Sequence, residues 1–177
     1  QIRKNTRSDT IMIASVNQDT GDIRLVSVYR DTYLNLSNDR YNKCNGAYSS
    51  GGAEQAMAML NMNLDLNITD FVTVGYDAVV DCVNGLGGVW IDVDKEEIKH
   101  INNYQKSILR DTDIDDELIM VDETGYQLLN GLQAAAYCRI RYTAGDDFKR
   151  AERQREVIQA MADQAKSAKL STLTDTF

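Results

Sequence analysis

Arginines are concentrated in one short stretch near the C-terminal end of this acidic chain. Five of the eleven arginines lie between positions 139 and 155, although the protein carries a net charge of −8. They are Arg139, Arg141, Arg150, Arg153 and Arg155. A planar guanidinium suits phosphate oxygens because it presents its N–H donors in a fixed fork. The block therefore indicates a site for a compact anion. The alternative is a surface salt-bridge lattice with the acidic residues that interleave it.

The spacing within this block predicts how its side chains are placed. Arg139 and Arg141 are two apart, so on a strand both would point to the same face. Asp147, Arg150 and Gln154 are three and four apart, so on the helix predicted to follow they would form one stripe. Gln154 also falls within the predicted buried face of that helix. An unpaired buried amide costs about 1–3 kcal/mol, so we expect Gln154 to find hydrogen-bond partners.

Three further charged residues flank a predicted β-hairpin near the N-terminal end. Asp9 precedes the first strand, and Arg30 and Asp31 follow the second, so the antiparallel pairing should bring them together. An ion pair alone is one interpretation. Together with the arginine block, they indicate a hard metal ion beside an anion. Carboxylate oxygens suit Mg²⁺, which takes few protein ligands and shares the phosphates of its substrate.

The elements that must position these residues alternate between strands and helices. Predicted strands are residues 10–16, 23–29, 71–75, 89–93 and 139–141, with 33–36 continuing the second, and predicted helices are residues 51–66, 78–83, 125–137 and 147–169. Residues 94–122 are polar and acidic and are predicted as a long loop with a helical turn near 96–104. Glycines 85, 87 and 88 are predicted to form a tight turn from helix to strand. This alternation predicts an α/β fold, a mixed sheet with helices on both faces.

Composition narrows the class of protein. A chain of 177 residues with 43% hydrophobic and 26% charged residues is typical of one globular domain with a real core. The acidic balance argues against a nucleic-acid partner, and no apolar run reaches the roughly 20 residues that span a bilayer. Three widely spaced cysteines without a CxxC pair argue against a zinc site. We expect them to be reduced, one disulfide plus a free thiol being the alternative.

Five motifs lie in order along nearly the whole chain. They are Arg7-Ser8-Asp9-Thr10, Val28-Tyr29-Arg30-Asp31-Thr32, Lys43-Cys44-Asn45-Gly46-Ala47-Tyr48, Gly85-Leu86-Gly87-Gly88-Val89 and the block from Arg139 to Gln154. Their order and approximate spacing resemble those of the LytR-CpsA-Psr catalytic domain. The resemblance implies a three-layer α-β-α fold with a mixed central sheet. It also implies an enzyme anchored to the cell membrane, with this domain facing the extracellular side of a Gram-positive-type envelope.

The activity that the resemblance implies is phosphotransfer. Such enzymes move a glycopolymer of the wall teichoic acid or capsule type from a polyprenyl-pyrophosphate carrier to peptidoglycan, forming a phosphodiester. By resemblance, the catalytic residues are Asp9, Arg30, Arg139 and Arg141, the pyrophosphate-binding residues are Arg30, Arg139, Arg141, Asp147, Arg150 and Gln154, and Asp9 is the ligand of Mg²⁺ or Mn²⁺. Asp9 is also the candidate base for the acceptor hydroxyl. Arg153 matches a second arginine that is frequent in the family, but its helical phase is expected to turn it away from Arg150.

One departure from the family pattern bears on activity. The family has a further metal-linked aspartate on a strand upstream of the Arg-Ser-Asp motif, and this chain starts too late to contain it. We therefore expect one domain over residues 1–177 that is truncated at its N-terminus, has a frayed tail at 170–177, and is attached to the membrane by a segment absent from this chain. Two other functions stay open: a non-catalytic polyprenyl-phosphate-binding module of envelope regulation, and a pyrophosphatase that releases polyprenyl phosphate.

Overall fold

A computed structural model describes residues 6–141 and 146–167, without the side chains of residues 146 and 147. The predicted tail at 170–177 lies outside these residues. The chain divides into two compact units, Gln1–Thr73 and Val74–Phe177, and each is described by itself. Within the described ranges, no helix combines the length and the apolar character that crossing a bilayer requires.

The first unit begins with the predicted hairpin. Strands β1 (Met12–Val16) and β2 (Ile23–Ser27) pair antiparallel, with Ile13 opposite Val26. The turn between them is held by Asn17, whose side-chain oxygen accepts the backbone N–H groups of residues 19 and 20. This hairpin confirms the pairing that the sequence predicts, and it places the residues before β1 beside those after β2.

A second hairpin and one long helix complete the first unit. Strands β3 (Tyr33–Asn35) and β4 (Tyr41–Lys43) pair with each other, so residues 33–36 do not continue β2. Helix α1 (Gly46–Leu64) starts five residues earlier than predicted. It is kinked at its two adjacent glycines, and the second of them, Gly52, has a φ of +71°. The core of this unit comprises Leu36, Cys44, Ala47, Met59 and Leu60.

In the part of the second unit that the structure describes, four helices pack around one antiparallel strand pair. Its elements are α2 (Tyr76–Gly85), β5 (Val89–Val93), α3 (Lys95–Asp111), β6 (Gly125–Leu129), α4 (Gly131–Tyr137) and α5 (Asp146–Ser167). Helix α4 packs against both α2 and α3, and α5 packs against β5. A β-carbon on Gly131 would lie 2.2 Å from the carbonyl oxygen of Val80, so only glycine allows α4 to start this close to α2.

Three predicted elements between residues 71 and 137 are wrong. Residues 71–75 form no strand. The predicted loop at 94–122 contains the 17-residue helix α3, which extends the helical turn predicted near 96–104. Its Ile98, Ile101 and Ile108 keep helical spacing among basic and polar residues. The predicted helix at 125–137 is a strand followed by a helix. The break falls at Asn130, whose side chain caps α4 by accepting the backbone N–H of Gln133.

The predicted α/β class is confirmed by this arrangement of helices and short strands. Within the described residues, the strands form three separate antiparallel pairs, β1–β2, β3–β4 and β5–β6, instead of one mixed central sheet. The first two pairs are local hairpins, and the third is joined through α3. The predicted glycine turn is confirmed, because Gly87 and Gly88 both have positive φ between α2 and β5.

Candidate functional site

Asp9 and Arg30 meet in the first unit as the hairpin predicts. Arg30 Nη1 donates a short, charge-assisted hydrogen bond to Asp9 Oδ1. Arg30 Nε also lies 3.7 Å from Asp31 Oδ1, and Lys43 Nζ lies 3.2 Å from Asp31 Oδ2. The result is a small network of two cations and two carboxylates that remains open to solvent.

The backbone of Arg30 is held by the segment that leads into α1. Its carbonyl accepts the backbone N–H of Asn45 at 3.1 Å and the Cys44 thiol at 3.3 Å, and the same thiol lies 3.2 Å from the Tyr29 carbonyl. Burial raises the pKa of the Cys44 thiol, which therefore remains a protonated donor at neutral pH. Sequence reasoning gave Cys44 and Asn45 a place in a motif but no role, because hydrogen bonds to the backbone leave no mark in residue spacing.

Asp9 is the residue predicted to bind a metal. Its carboxylate is a hard oxygen donor and its side chain is half exposed. Among the residues that the structure describes, no group of three or more His, Cys, Asp or Glu side chains could hold a metal ion. Mg²⁺ is usually bound by one or two carboxylates together with substrate phosphates. Asp9 therefore fits an ion shared with a phosphate and does not fit a closed, all-protein metal cage.

Arg139, in the second unit, lies at the end of α4 and not on a strand. Its backbone N–H donates to the Ala136 carbonyl at 3.0 Å, and that of Ile140 donates to the Tyr137 carbonyl at 3.2 Å. These bonds continue the helix as a turn, so the predicted strand at 139–141 is wrong. The alternation that would put Arg139 and Arg141 on one face does not apply.

The Arg139 guanidinium carbon lies over two aromatic rings. It is 5.0 Å from the centroid of the Tyr76 ring and 5.2 Å from that of the Tyr104 ring. Both distances fall within the roughly 6 Å over which a cation is attracted to an aromatic face. Neither tyrosine was a predicted site residue, because Tyr76 and Tyr104 are distant from Arg139 in sequence and Tyr104 lies on the unpredicted helix α3.

Helix α5 turns a polar stripe toward the core. Arg150, Arg153 and Gln154 are all buried, together with Val157. The predicted stripe is confirmed for Arg150 and Gln154, whereas the side chain of Asp147 lies outside the described residues. The prediction that Arg153 turns away from Arg150 is wrong, because positions three apart differ by only about 60° around a helix.

Two side chains of this stripe hold the backbone on either side of Arg139. Gln154 Nε2 donates to the Cys138 carbonyl at 3.3 Å, and Arg153 Nη1 donates to the Ile140 carbonyl at 3.4 Å. Gln154 thus has a hydrogen-bond partner, as its burial requires. Arg153 Nε also donates to Glu97 Oε1 at 2.6 Å, in an ion pair that is almost fully buried. Arg153, which was not among the predicted site residues, is therefore a structural anchor of the turn that contains Arg139.

A polar cleft of about 200 Å³ opens beside Arg153. Its lining residues are Asp92, Asp94, Glu97, Tyr137, Lys149, Glu152, Arg153 and Glu156. Five of the eight are acidic, so the cleft does not suit an anionic ligand. The Tyr137 hydroxyl donates to Glu156 Oε2 at 2.7 Å, and burial together with this carboxylate raises the pKa of Tyr137. Arg153 is therefore not a candidate for binding an anion, whereas Arg139 remains one.

The remaining predicted residues divide between the two units. The first unit brings together Asp9 and Arg30. The second brings Gln154 to the backbone beside Arg139 and places Arg141 in the coil that follows. Cys44, Cys82 and Cys138 are all free, which agrees with three reduced thiols.

Similarity to known proteins extends over almost the whole chain. A model of the LytR_cpsA_psr family matches residues 1–176. The chain is 30% identical over 92% of its length to the polyisoprenyl-teichoic acid–peptidoglycan teichoic acid transferase TagV of Bacillus subtilis, and 32% identical over 91% to TagU of Enterococcus faecalis. It covers 40% and 48% of those relatives, less than half of each.

A solved structure extends the similarity to the fold. The LytR-CPS2A-psr family protein YwtF (TagT) of Bacillus subtilis, with a bound octaprenyl pyrophosphate lipid, superposes with a TM-score of 0.76 at 28% identity. The match covers 93% of this chain and 62% of that one. The family match, the identities and the shared fold agree with the five motifs of the sequence. The chain belongs to the LytR-CpsA-Psr family.

Proposed function

We propose that this chain is the catalytic domain of a phosphotransferase that attaches a glycopolymer of the wall teichoic acid or capsule type to peptidoglycan. The donor is the glycopolymer on a polyprenyl-pyrophosphate carrier. Relatives named as teichoic acid transferases support this proposal, as does the octaprenyl pyrophosphate bound to TagT. The observation that carries it is Arg139, a cation that lies over two aromatic rings in a turn held by four hydrogen bonds, one of them from its own backbone N–H.

The proposed reaction exchanges the phosphoanhydride bond of the carrier for a phosphate ester bond to peptidoglycan. A hydroxyl oxygen of peptidoglycan bonds to the phosphorus that carries the glycan, and the bond from that phosphorus to the bridging oxygen breaks. Polyprenyl phosphate leaves with the electron pair, and the hydroxyl proton passes to a base, for which Asp9 is our candidate. Guanidinium groups lower the barrier by stabilising the negative charge on the phosphate oxygens.

Each unit contributes defined side chains to this proposal. In the first unit, Asp9 is the proposed ligand of Mg²⁺ or Mn²⁺ and Arg30 a proposed pyrophosphate ligand. In the second unit, Arg139, Arg141 and Arg150 are proposed ligands, with Asp147 and Gln154 in support. A bound divalent ion would supply Lewis-acid stabilisation of phosphate charge. The proposal places the domain on the extracellular face of the cell membrane, because its acceptor is peptidoglycan.

The test is transfer between defined substrates. The full chain is incubated with a short polyprenyl-pyrophosphate glycan, Mg²⁺ and peptidoglycan fragments, and the phosphodiester product is measured by mass spectrometry. We expect Arg139→Ala and Arg141→Ala each to lower the rate at least about 100-fold. The melting temperature should stay close to that of the parent. Arg24→Ala, an exposed arginine on β2, is the matched control and should retain the rate.

Each other outcome decides against part of the proposal. Unchanged transfer by both variants would remove the assignment of the arginines. Binding of the donor without product would favour a polyprenyl-phosphate-binding module. Release of polyprenyl phosphate without an acceptor would favour a pyrophosphatase, in which water replaces the sugar hydroxyl.

A further inference from the structure

We infer that Tyr76 and Tyr104 are positioning residues that hold the Arg139 guanidinium in the orientation in which it binds an anion. The inference rests on the proposed function, in which Arg139 is a pyrophosphate ligand. Tyr76 is the first residue of α2 and Tyr104 lies in the middle of α3, so two separate helices contribute one ring each. We call these two residues the tyrosine pair.

The tyrosine pair is itself well fixed. Both rings are half-buried and pack against the hydrophobic core of the second unit. Helix α3 is held at its start by a reciprocal cap, in which the Glu97 side chain accepts the Asp94 backbone N–H at 3.0 Å. Glu97 is also the partner of the buried Arg153. The rings therefore offer Arg139 a rigid surface rather than one that moves with it.

A cation–π contact suits a ligand-binding arginine because it does not use hydrogen-bond donors. The ring attracts the guanidinium through its face, whereas the five N–H donors lie around the edge of the guanidinium plane. The backbone of Arg139 is already fixed by its turn and by the carbonyls held on either side. The rings add the constraint on the side chain, whose several rotatable bonds would otherwise leave the guanidinium many orientations.

A nearby carboxylate is a reason to hold the Arg139 guanidinium in one orientation. Asp111, at the end of α3, has a pKa lowered mainly by its hydrogen bond from Arg110, and the charge of Arg139 adds to that shift. The Asp111 carboxylate is therefore within electrostatic reach of Arg139. A guanidinium released from the rings could turn toward this carboxylate, which would compete with a phosphate ligand. The tyrosine pair opposes that rearrangement.

The experiment separates the aromatic ring from the hydroxyl group of each tyrosine. Tyr104→Leu and Tyr76→Leu remove the ring, and Tyr104→Phe and Tyr76→Phe keep it. We expect each leucine variant to lose about tenfold in kcat/KM for transfer, and the phenylalanine variants to stay within about threefold of the parent. Tyr126→Leu removes an exposed ring that stacks on Trp90 at the β5–β6 pair, and it is the matched control.

A double-mutant cycle with Arg139 tells positioning from general packing. In the Arg139→Ala background, the leucine substitutions should cause no further loss, because the group that they position is gone. An equal loss in both backgrounds, or no loss in the parent background, would overturn the inference. Thermal unfolding of each variant identifies any loss of activity that comes from loss of folded protein.

A readout without substrate keeps the inference separate from the proposed function. The Arg139 Nε–H resonance, assigned by its absence in Arg139→Lys, should shift in each leucine variant and stay close to its parent position in each phenylalanine variant. No shift in the leucine variants would overturn the positioning role even if Arg139 proved essential. A shift together with full transfer by Arg139→Ala would instead overturn the proposed role of Arg139.

Discussion

Two ion pairs of this protein differ sharply in their exposure to water. In the first unit, Arg30 and Asp9 expose 20% and 48% of their side chains. In the second unit, Arg153 and Glu97 expose 5% and 7%. Both pairs join an arginine of a family motif to a carboxylate. A solvated pair contributes about 0–1 kcal/mol, whereas removing one partner of a buried pair costs about 3–5 kcal/mol.

The difference assigns different tasks to arginines that the sequence presents alike. The buried pair makes its further hydrogen bonds within the protein, because Arg153 also donates to the Ile140 carbonyl and Glu97 also caps α3. Arg30, in the solvated pair, can exchange its carboxylate partner for a phosphate with little loss of folding stability. For these two arginines, burial together with the hydrogen bonds made within the protein distinguishes Arg153, an anchor, from Arg30, a candidate ligand of an anion.

The largest expected effect is on the buried pair. Arg153→Met should lower the free energy of unfolding by about 3–5 kcal/mol, because it leaves the Glu97 carboxylate buried without its cation. The measurement is urea unfolding followed by circular dichroism. Lys149→Met is the matched control on the same helix. Its exposed pair with Glu152 should be worth no more than about 0.5 kcal/mol.

A double variant tests whether the loss of stability in Arg153→Met comes from the uncompensated charge of Glu97 or from altered packing. The double variant Glu97→Leu with Arg153→Met removes both charges, so it should be more stable than Arg153→Met alone. A double variant that is less stable than either single variant would show that packing, rather than the uncompensated charge, dominates this site.

The next effect concerns the thiol that lies beside the same buried stripe. Desolvation raises the pKa of Cys138 to about 12, although the charge of Arg150 opposes the shift. In the unfolded chain the thiol titrates near pH 8.5. Between these values the unfolded state has lost the proton that the folded state keeps, so stability falls as the pH rises. Below pH 8 the contribution is fully present.

The slope of that loss is measurable. It approaches about 1.4 kcal/mol per pH unit, which amounts to about 2.7 kcal/mol by pH 10.5. Free energies of unfolding between pH 7.5 and 10.5 should fall more steeply for the parent than for Cys138→Ala, which cannot titrate. Parallel profiles would mean that water reaches this thiol, and the dry environment inferred for the Arg153 pair would lose support.

The fold was predictable from sequence where one pattern dominates. The β1–β2 hairpin combines alternating apolar residues with a strong turn sequence, and the end of α2 and the glycine turn after it follow from the Asn-Gly pair and the glycines that come next. Helix α3 was predicted only as a turn near 96–104, because many basic and polar residues separate its isoleucines. The strand β6 was missed because its residues join smoothly to those of α4, and the boundary depends on the cap at Asn130.

Contacts within the candidate site were predictable where strand pairing or another simple rule of secondary structure brings the two residues together. Asp9 and Arg30 lie at adjacent ends of one hairpin, so their contact could be inferred. The contacts of Arg139 with Tyr76 and Tyr104 depend on the packing of three helices, which no spacing reveals. The role of Arg153 was missed because its phase on the helix was misjudged and because its partner Glu97 lies 56 residues away in the sequence.

The smallest expected effect on the free energy of unfolding is at the solvated pair of Arg30 and Asp9. Arg30→Met should change the free energy of unfolding by less than about 1 kcal/mol, because Asp9 stays in contact with water when its partner is lost. Raising the salt concentration from 0.05 to 0.5 M should narrow even this difference, since exposed charges are screened. The same substitution should abolish binding of a short polyprenyl pyrophosphate, measured by calorimetry. A loss of stability as large as that of Arg153→Met would show that Arg30 is also an anchor, and exposure would then no longer distinguish the two arginines.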